Sequence, residues 1–427
     1  MIFSRPVIVL TLGYLLFSPL DIFSDPVDTF GGGSRSRAMG NTGVASADRG
    51  DAAYYNPAAL VVPDRGQIEF GYIFADHNFK VDGRDKDVDS LSSVFFGTSM
   101  NLSRIRLFEG FLGRLISFGA FGYLPSKYLV KIANYDPSEP NFAMFGNRNN
   151  RFSVYSGLGL MLPGSMIGIP GFISIGVGSH ALADLPINVN GNLISQKYPV
   201  MFDAVLKIKT APTLGGLIKL SLGEFDTRFG VSYRGQTDIS VPLTARVNLL
   251  DREIASIYTL YTDLYTPPTL SFGLGLRYNV FRLSTDFSFM FFEKFKFPFL
   301  RELSLQPQQF QSILTSVAPQ FVEPRLKNIL VPKVGFEFSP RSYIALRLGY
   351  YLWSSPIPQE QQGVILLDSS RHTISLGVGF NFRDPIYLFK EDIKFDITSQ
   401  YHILSEGTVK TTFSDNKVRE TKFEGSL

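Results

Sequence analysis

The sequence contains no cysteine, a single tryptophan and only 19% charged residues. Without thiols, disulfides, thiolate metal sites, cysteine nucleophiles and an N-terminal lipid-bearing cysteine are excluded. The 41 basic residues nearly balance 38 acidic ones, and a net charge of +3 does not mark a nucleic-acid binder. No Gly-Lys-Ser/Thr follows the glycine cluster Gly31-Gly32-Gly33, so there is no phosphate loop. Beyond the N-terminus no run of about 18 apolar residues occurs, which argues against membrane-spanning helices. His77, His180, His372 and His402 show no metal-ligand spacing, and no cofactor is expected. Phe (39), Tyr (19) and Gly (38) are abundant instead. That mixture disfavours disorder, coiled coil and helical bundle, and suits an all-β protein.

Residues 1–24 read as a secretory signal peptide. Arg5 supplies the positive start, Val7 to Leu20 the short apolar stretch, and Ser24 a small residue before cleavage. An exported chain without apolar helices can enter a membrane only as strands.

From residue 67 onward, segments near ten residues long alternate apolar with polar or small residues. Ile68, Phe70, Tyr72 and Phe74 alternate with Gln67, Glu69 and Gly71; Leu283, Phe287 and Phe289 with Arg282, Ser284 and Asp286. Side chains of a strand alternate faces, so each segment has one greasy face and one face carrying Arg, Asp and Gly, as a wet lumen requires. Ten residues span a bilayer when tilted, whereas ordinary strands are nearer five or six. Strands are expected near 67–76, 91–100, 114–123, 151–162, 171–181, 203–220, 226–236, 269–279, 281–292, 331–339, 342–352, 371–382 and 391–402. The links between them alternate between mostly short and long, as in outer-membrane barrels. The expected fold is therefore an all-β, transmembrane antiparallel β-barrel over residues 67–427. Thirteen strands conflict with the even number that bacterial barrels use. The tail after residue 402 is polar, and Lys422-Phe423-Glu424-Gly425 reads as the start of a final strand that is then missing.

Residues 25–66 do not alternate. Small residues and glycines there suit close packing in a confined space. They lead to Ala52-Ala53-Tyr54-Tyr55-Asn56-Pro57-Ala58-Ala59-Leu60. This stretch resembles the N-terminal hatch of the FadL/TodX family of outer-membrane transporters of long-chain fatty acids and aromatic hydrocarbons, with Asn56, Pro57 and Ala58 at the centre of the hatch motif. Gly230-Val231-Ser232-Tyr233-Arg234-Gly235 resembles a family strand. Leu346-Arg347-Leu348-Gly349-Tyr350 and Leu367-Asp368-Ser369-Ser370-Arg371-His372 are closer still. The resemblance implies a fourteen-stranded barrel plugged by residues 25–66, an outer-membrane location, and partners that are a hydrophobic ligand and membrane lipid.

Four basic residues are expected to face the lumen: Arg234, Arg277, Arg282 and Arg347. A guanidinium offers a carboxylate a two-pronged hydrogen bond, so these are candidate ligand-binding residues for a fatty-acid head group. Their plainer role is an ordinary ion-paired lumen residue. Leu249 to Leu264 and Phe310 to Phe321 carry apolar residues three and four apart, which predicts amphipathic helices in two long loops. The function expected is passive uptake of hydrophobic compounds, foremost long-chain fatty acids. The alternative is a non-transporting barrel serving as a structural or secretion-apparatus component. A hydrolase would need a serine near His372 or His402.

Overall fold

The computed structural model describes residues 25–63, 66–108, 110–126, 139–145, 152–184, 187–191, 201–204, 207–249, 252–295, 302–305, 325–385, 392–413 and 415–427. The proposed signal peptide and the expected helix 310–321 lie outside them. No helix among the described residues is long and apolar enough to cross a membrane.

Fourteen strands form the wall. They are β1 (Gln67–Ala75), β2 (Leu91–Asn101), β3 (Ile116–Pro125), β4 (Ser153–Pro163), β5 (Gly171–Asp184), β6 (Lys207–Leu222) and β7 (Phe225–Arg234). There follow β8 (Thr269–Tyr278), β9 (Phe281–Met290), β10 (Ile329–Arg341), β11 (Ile344–Trp353), β12 (Arg371–Phe382), β13 (Ile393–Thr412) and β14 (Val418–Ser426). Every neighbour in this series pairs antiparallel with the next. The greasy faces point outward: Ile68, Phe70, Tyr72 and Phe74 are 61–75% exposed. The opposite faces carry buried residues such as Ser284, Asp286 and Glu337. This is a transmembrane antiparallel barrel with an N-terminal plug, as the alternation predicts.

One rim has tight turns. Gly223-Glu224, Asn279-Val280 and Ser342-Tyr343 each join two strands, with Gly223 (φ 61°) and Asn279 (φ 50°) in the left-handed region that such turns need. Long connections leave from the other rim. Three of them contribute to a separate five-stranded sheet in which Thr237–Leu249 pairs with Arg252–Thr266. The segment expected as a helix near 249–264 is thus a hairpin arm. Its Ile, Tyr and Thr residues are β-formers, and pairing with the preceding strand overrides the helical spacing.

The tail also departs from expectation. β13 runs to Thr412, and the chain turns back as β14, the final strand that the sequence reading leaves missing. Polar side chains suit this hairpin because it extends beyond the apolar belt; Lys410 and Glu420 pair across it at 3.1 Å. β14 also pairs with Asn78–Val81, the continuation of β1. Nearer the tight-turn rim, the second edges of β1 and of residues 393–401 pair with no strand among the described residues. The segment read as 203–220 supplies one wall strand, β6, with Met201–Ala204 in the separate sheet, so the even count comes from β14.

Residues 25–62 are coiled inside the wall, which meets their backbone with glycine. A Cβ on Gly176 would lie 2.2 Å from the Ala58 nitrogen, on Gly349 1.9 Å from the Gly40 nitrogen, and on Gly335 2.3 Å from the Met39 oxygen. Gly176→Val is expected to unseat the turn at Asn56–Leu60, at a cost of about 1–3 kcal/mol from overpacking. Trypsin should then cut at Arg35, Arg37 or Arg49 in a barrel that still migrates as folded. Unchanged protection would contradict the close docking.

Candidate functional site

The N-terminal segment starts at a buried anchor. Asp25 caps α1 (Pro26–Phe30), its Oδ1 accepting from the Val27 nitrogen at 2.8 Å. Its Oδ2 accepts from the Tyr155 hydroxyl at 2.7 Å and lies 3.0 Å from His180 Nε2. The chain continues through α2 (Ser34–Ala38) and α3 (Ala52–Tyr55) to a 3₁₀ turn at Pro57–Val61. Asn56 fixes that turn. Its Nδ2 donates to the Val44 and Gly216 carbonyls at 2.7 and 3.0 Å, and its Oδ1 accepts from the Ala58 nitrogen at 3.0 Å. Pro57 begins the turn where a missing N–H costs nothing. The Asn-Pro-Ala motif is thus the joint between the segment and β6.

On the tight-turn side, charge holds the segment to the wall. Arg35 Nε donates to Glu337 at 2.9 Å, and Arg35 Nη1 lies 2.8 Å from Asp48. Arg347 donates to Glu337 at 2.7 Å and to Asp396 at 2.6 Å. Arg49 Nη1 reaches Asp396 at 2.6 Å and Glu69 at 3.5 Å, linking β13 to β1. Arg282 lies 3.4 Å from Glu337 and 3.6 Å from Asp48. Burial pushes the Asp48 carboxyl up, but Arg35 and Arg282 outweigh it and hold it well below the usual range.

Toward the long-loop side, Arg234 pairs with Asp28, and its guanidinium lies 4.6 Å from the Tyr54 ring centre. Asp286 Oδ2 accepts from the Gly43 and Val44 nitrogens at 2.7 and 3.0 Å, with Lys333 opposite it in register. A polar cavity here is lined by Asp28, Arg234, Ser271, Ser288, Lys333 and Tyr351 and offers about 30 Å³, enough for waters but not for an alkyl chain.

Above it lies an apolar layer made by inward strand ends and loop segments, among them Met290, Phe292, Trp353, Phe142, Ile365 and Leu367. Arg371, 2% exposed, enters this layer. Its guanidinium lies 5.2 Å from both the Phe145 and Trp353 rings, and its Nε has no hydrogen-bond partner. Beyond the layer opens a groove of about 690 Å³ lined by Ile357, Pro358, Asp368, Ser370, Glu406 and Phe423, among others.

The four expected arginines do not converge. Arg234 is at the upper cavity, Arg347 and Arg282 in the lower charge network, and Arg277 exposed at the tight-turn rim. Lys333 and Arg371 were missed. The signal for Arg371 was parity: Thr373 and Ser375 face inward on β12, so Arg371 must too. His372 consequently faces outward, its Nδ1 2.8 Å from the Tyr350 hydroxyl. His402 Nδ1 lies 2.9 Å from Thr373 Oγ1. No serine hydrogen bond to either imidazole is present among the described residues.

No family model matches the sequence, and no curated protein matches it significantly. Solved structures do. A FadL homologue of Pseudomonas aeruginosa aligns with TM-score 0.56 and 12% identity over 92% of this chain and 96% of that one. The CymD monoaromatic hydrocarbon channel aligns at 0.49 and 14% over 92% and 96%. The Pseudomonas putida toluene transporter TodX aligns at 0.47 and 14% over 96% and 98%. The fold is that of a plugged bacterial outer-membrane barrel. Within that class, the chain is similar to the FadL type.

Glu337→Ala would strip Arg35 and Arg347 of a shared buried carboxylate. The expected loss is about 3–5 kcal/mol, because unpaired buried charge is left behind. It should appear as a lower unfolding temperature and earlier proteolysis of residues 25–62. Glu337→Gln, which keeps two hydrogen bonds but not the charge, should fall between; equality with wild type would show the network to be idle.

Proposed function

We propose that the protein is an outer-membrane channel for passive uptake of hydrophobic compounds, with long-chain fatty acids as the principal cargo. The observation that carries this reading is the order of layers along the lumen: open groove, aromatic layer, then sealed polar plug. An amphiphile would partition from the groove into the aromatic layer, with alkyl burial contributing about 0.8 kcal/mol per CH₂. Arg371 is the head-group partner we assign in that layer, because a carboxylate would give its unpaired Nε a charge-assisted bond. Arg234, Arg282 and Arg347 already hold carboxylates of the chain, so they would meet an acid only by exchanging partners. Arg277 would meet it on leaving. Residues 25–66 act as the hatch, with Asn56, Pro57 and Ala58 as its hinge to the wall, and residues 1–24 as the export signal. Onward passage needs the hatch to move, since the cavity beneath is only large enough for water.

A filled lumen is also what a non-transporting scaffold barrel would have, and one experiment separates the two. Hydrophobic molecules are extracted from the purified barrel and identified by mass spectrometry, for wild type, Arg371→Ala and an Arg277→Ala/Arg347→Ala double variant. Long-chain acids in wild type, depleted about tenfold or more in Arg371→Ala, are expected for one lost charged hydrogen bond. Acids retained there but lost in the double variant would move the head group to the tight-turn side. Binding of added aromatics but never acids would leave a hydrocarbon channel. A barrel that binds neither would favour the scaffold.

A further inference from the structure

Three links on the tight-turn rim are longer than two residues: 164–170, 383–392 and, longest, the one between β2 and β3. β2 and β3 are joined not by two residues but by 102–115, folded as two 3₁₀ turns and the short helix Phe111–Leu115. Its shape is internally fixed. Asn101 Nδ2 donates to the Arg114 carbonyl at 2.8 Å, and Asn101 Oδ1 accepts from the Ser103 nitrogen at 3.1 Å. The Phe108 nitrogen donates to the Ile105 carbonyl at 2.8 Å. Gly113 lets the chain fold back, for a Cβ there would lie 1.9 Å from the Phe108 oxygen. Yet this ordered turn points its apolar side chains outward: Leu107 is 84% exposed, Leu112 72%, Phe111 61% and Phe108 48%. A soluble turn so well braced would bury them.

Two further observations say what covers these side chains. The patch is continuous with the lipid-facing belt. The helix Phe111–Leu115 packs against β4, whose outward Leu158, Leu160 and Leu162 lead down to Met166 and Ile167, exposed on the neighbouring turn. Among the described residues of the turn the charge is of one sign: Arg104, Arg106 and Arg114 are interleaved with the apolar residues. Apolar side chains interleaved with arginines at the edge of a hydrocarbon belt are the pattern of a segment lying in a head-group layer.

We propose that residues 102–108 and 110–115 form an interfacial anchor in the inner leaflet of the outer membrane, seated on anionic phospholipid. Leu107, Phe108, Phe111 and Leu112 lie among the upper acyl carbons, and Arg104, Arg106 and Arg114 contact lipid phosphates. The site rests on the barrel spanning a membrane and is independent of its cargo. It holds the β2–β3 corner at a fixed depth.

The test uses the full chain in nanodiscs. Phe111→Trp places a reporter in the patch, and wild type corrects for buried Trp353. Lipids brominated on the upper acyl chain should quench the new emission. Brominated phosphatidylglycerol, mixed into phosphatidylcholine, should quench about twofold more than brominated phosphatidylcholine at equal fraction, since each arginine near an anionic surface adds attraction. In the background Arg104→Gln/Arg106→Gln/Arg114→Gln that preference should vanish while quenching persists. An unquenched reporter in a folded barrel would overturn the anchor and point to a protein partner. Quenching without lipid preference in the parent would overturn the anionic-lipid assignment. All the substitutions are at exposed positions, and folded migration on gels checks each barrel.

Discussion

The structure depends on direct main-chain contact between the N-terminal segment and the inner wall. A fourteen-stranded barrel encloses a space too wide for its own side chains to fill. Residues 25–62 fill it, and they do so with backbone against backbone. Gly349 faces the Gly40 nitrogen, Gly335 the Met39 oxygen and Gly176 the Ala58 nitrogen, each too close for a side chain. The inward glycines therefore form a seat. Because the seat admits one placement, the polar groups of the segment meet the same strands in every molecule, which is the condition for buried charge to be matched.

That matching divides the lumen. Below, Arg35, Arg49 and Arg347 share Glu337, Asp396 and Glu69 among β1, β10, β11 and β13. Buried ion pairs add little net stability over apolar packing, but leaving one member alone is costly, so such a network specifies position more than it strengthens the fold. Above, the wall residues turn apolar and loop segments close over them, with Phe142 stacked on Phe79 at 4.3 Å. Arg371 lies in the apolar half against two aromatic faces, near Asp368 and the Tyr351 hydroxyl, whereas Arg347 sits directly on two carboxylates.

Much of the wall was legible in the sequence because each strand meets lipid on one side and the plug on the other. Ten-residue runs such as Phe281–Met290 print that alternation directly. The purpose of the glycines was not legible. Gly273, Gly349 and Gly377 read as a wet, small-residue face, whereas their reason is a neighbour hundreds of residues away. The same distance hid the ion partners: Arg35 and Glu337 are 302 positions apart. β14 was half legible: Lys422-Phe423-Glu424-Gly425 reads as the entry to a strand, but the hairpin pairs beyond the hydrocarbon belt, where no apolar alternation marks its full length. The hairpin arm Arg252–Thr266 was misread because Ile254, Ile257, Tyr258 and Tyr261 satisfy a helical spacing, while pairing with Thr237–Leu249 decided the outcome.

The two halves also differ in what a passing molecule would have to displace. In the lower half a guest must replace charge-assisted bonds that tie the segment to four strands at once, and an apolar guest offers nothing in return. In the upper half it replaces one apolar contact by another, so exchange there is nearly balanced. Under the proposed function, a hydrophobic molecule would therefore lodge above Asp28 and Arg234 without breaking the seat. The Arg234–Asp28 pair and the Tyr351 hydroxyl, which donates to the Thr29 carbonyl at 2.9 Å, mark the boundary where that balance ends. Apolar packing and charge-matched sealing thus occupy different halves of one lumen, and the glycine seat keeps them apart.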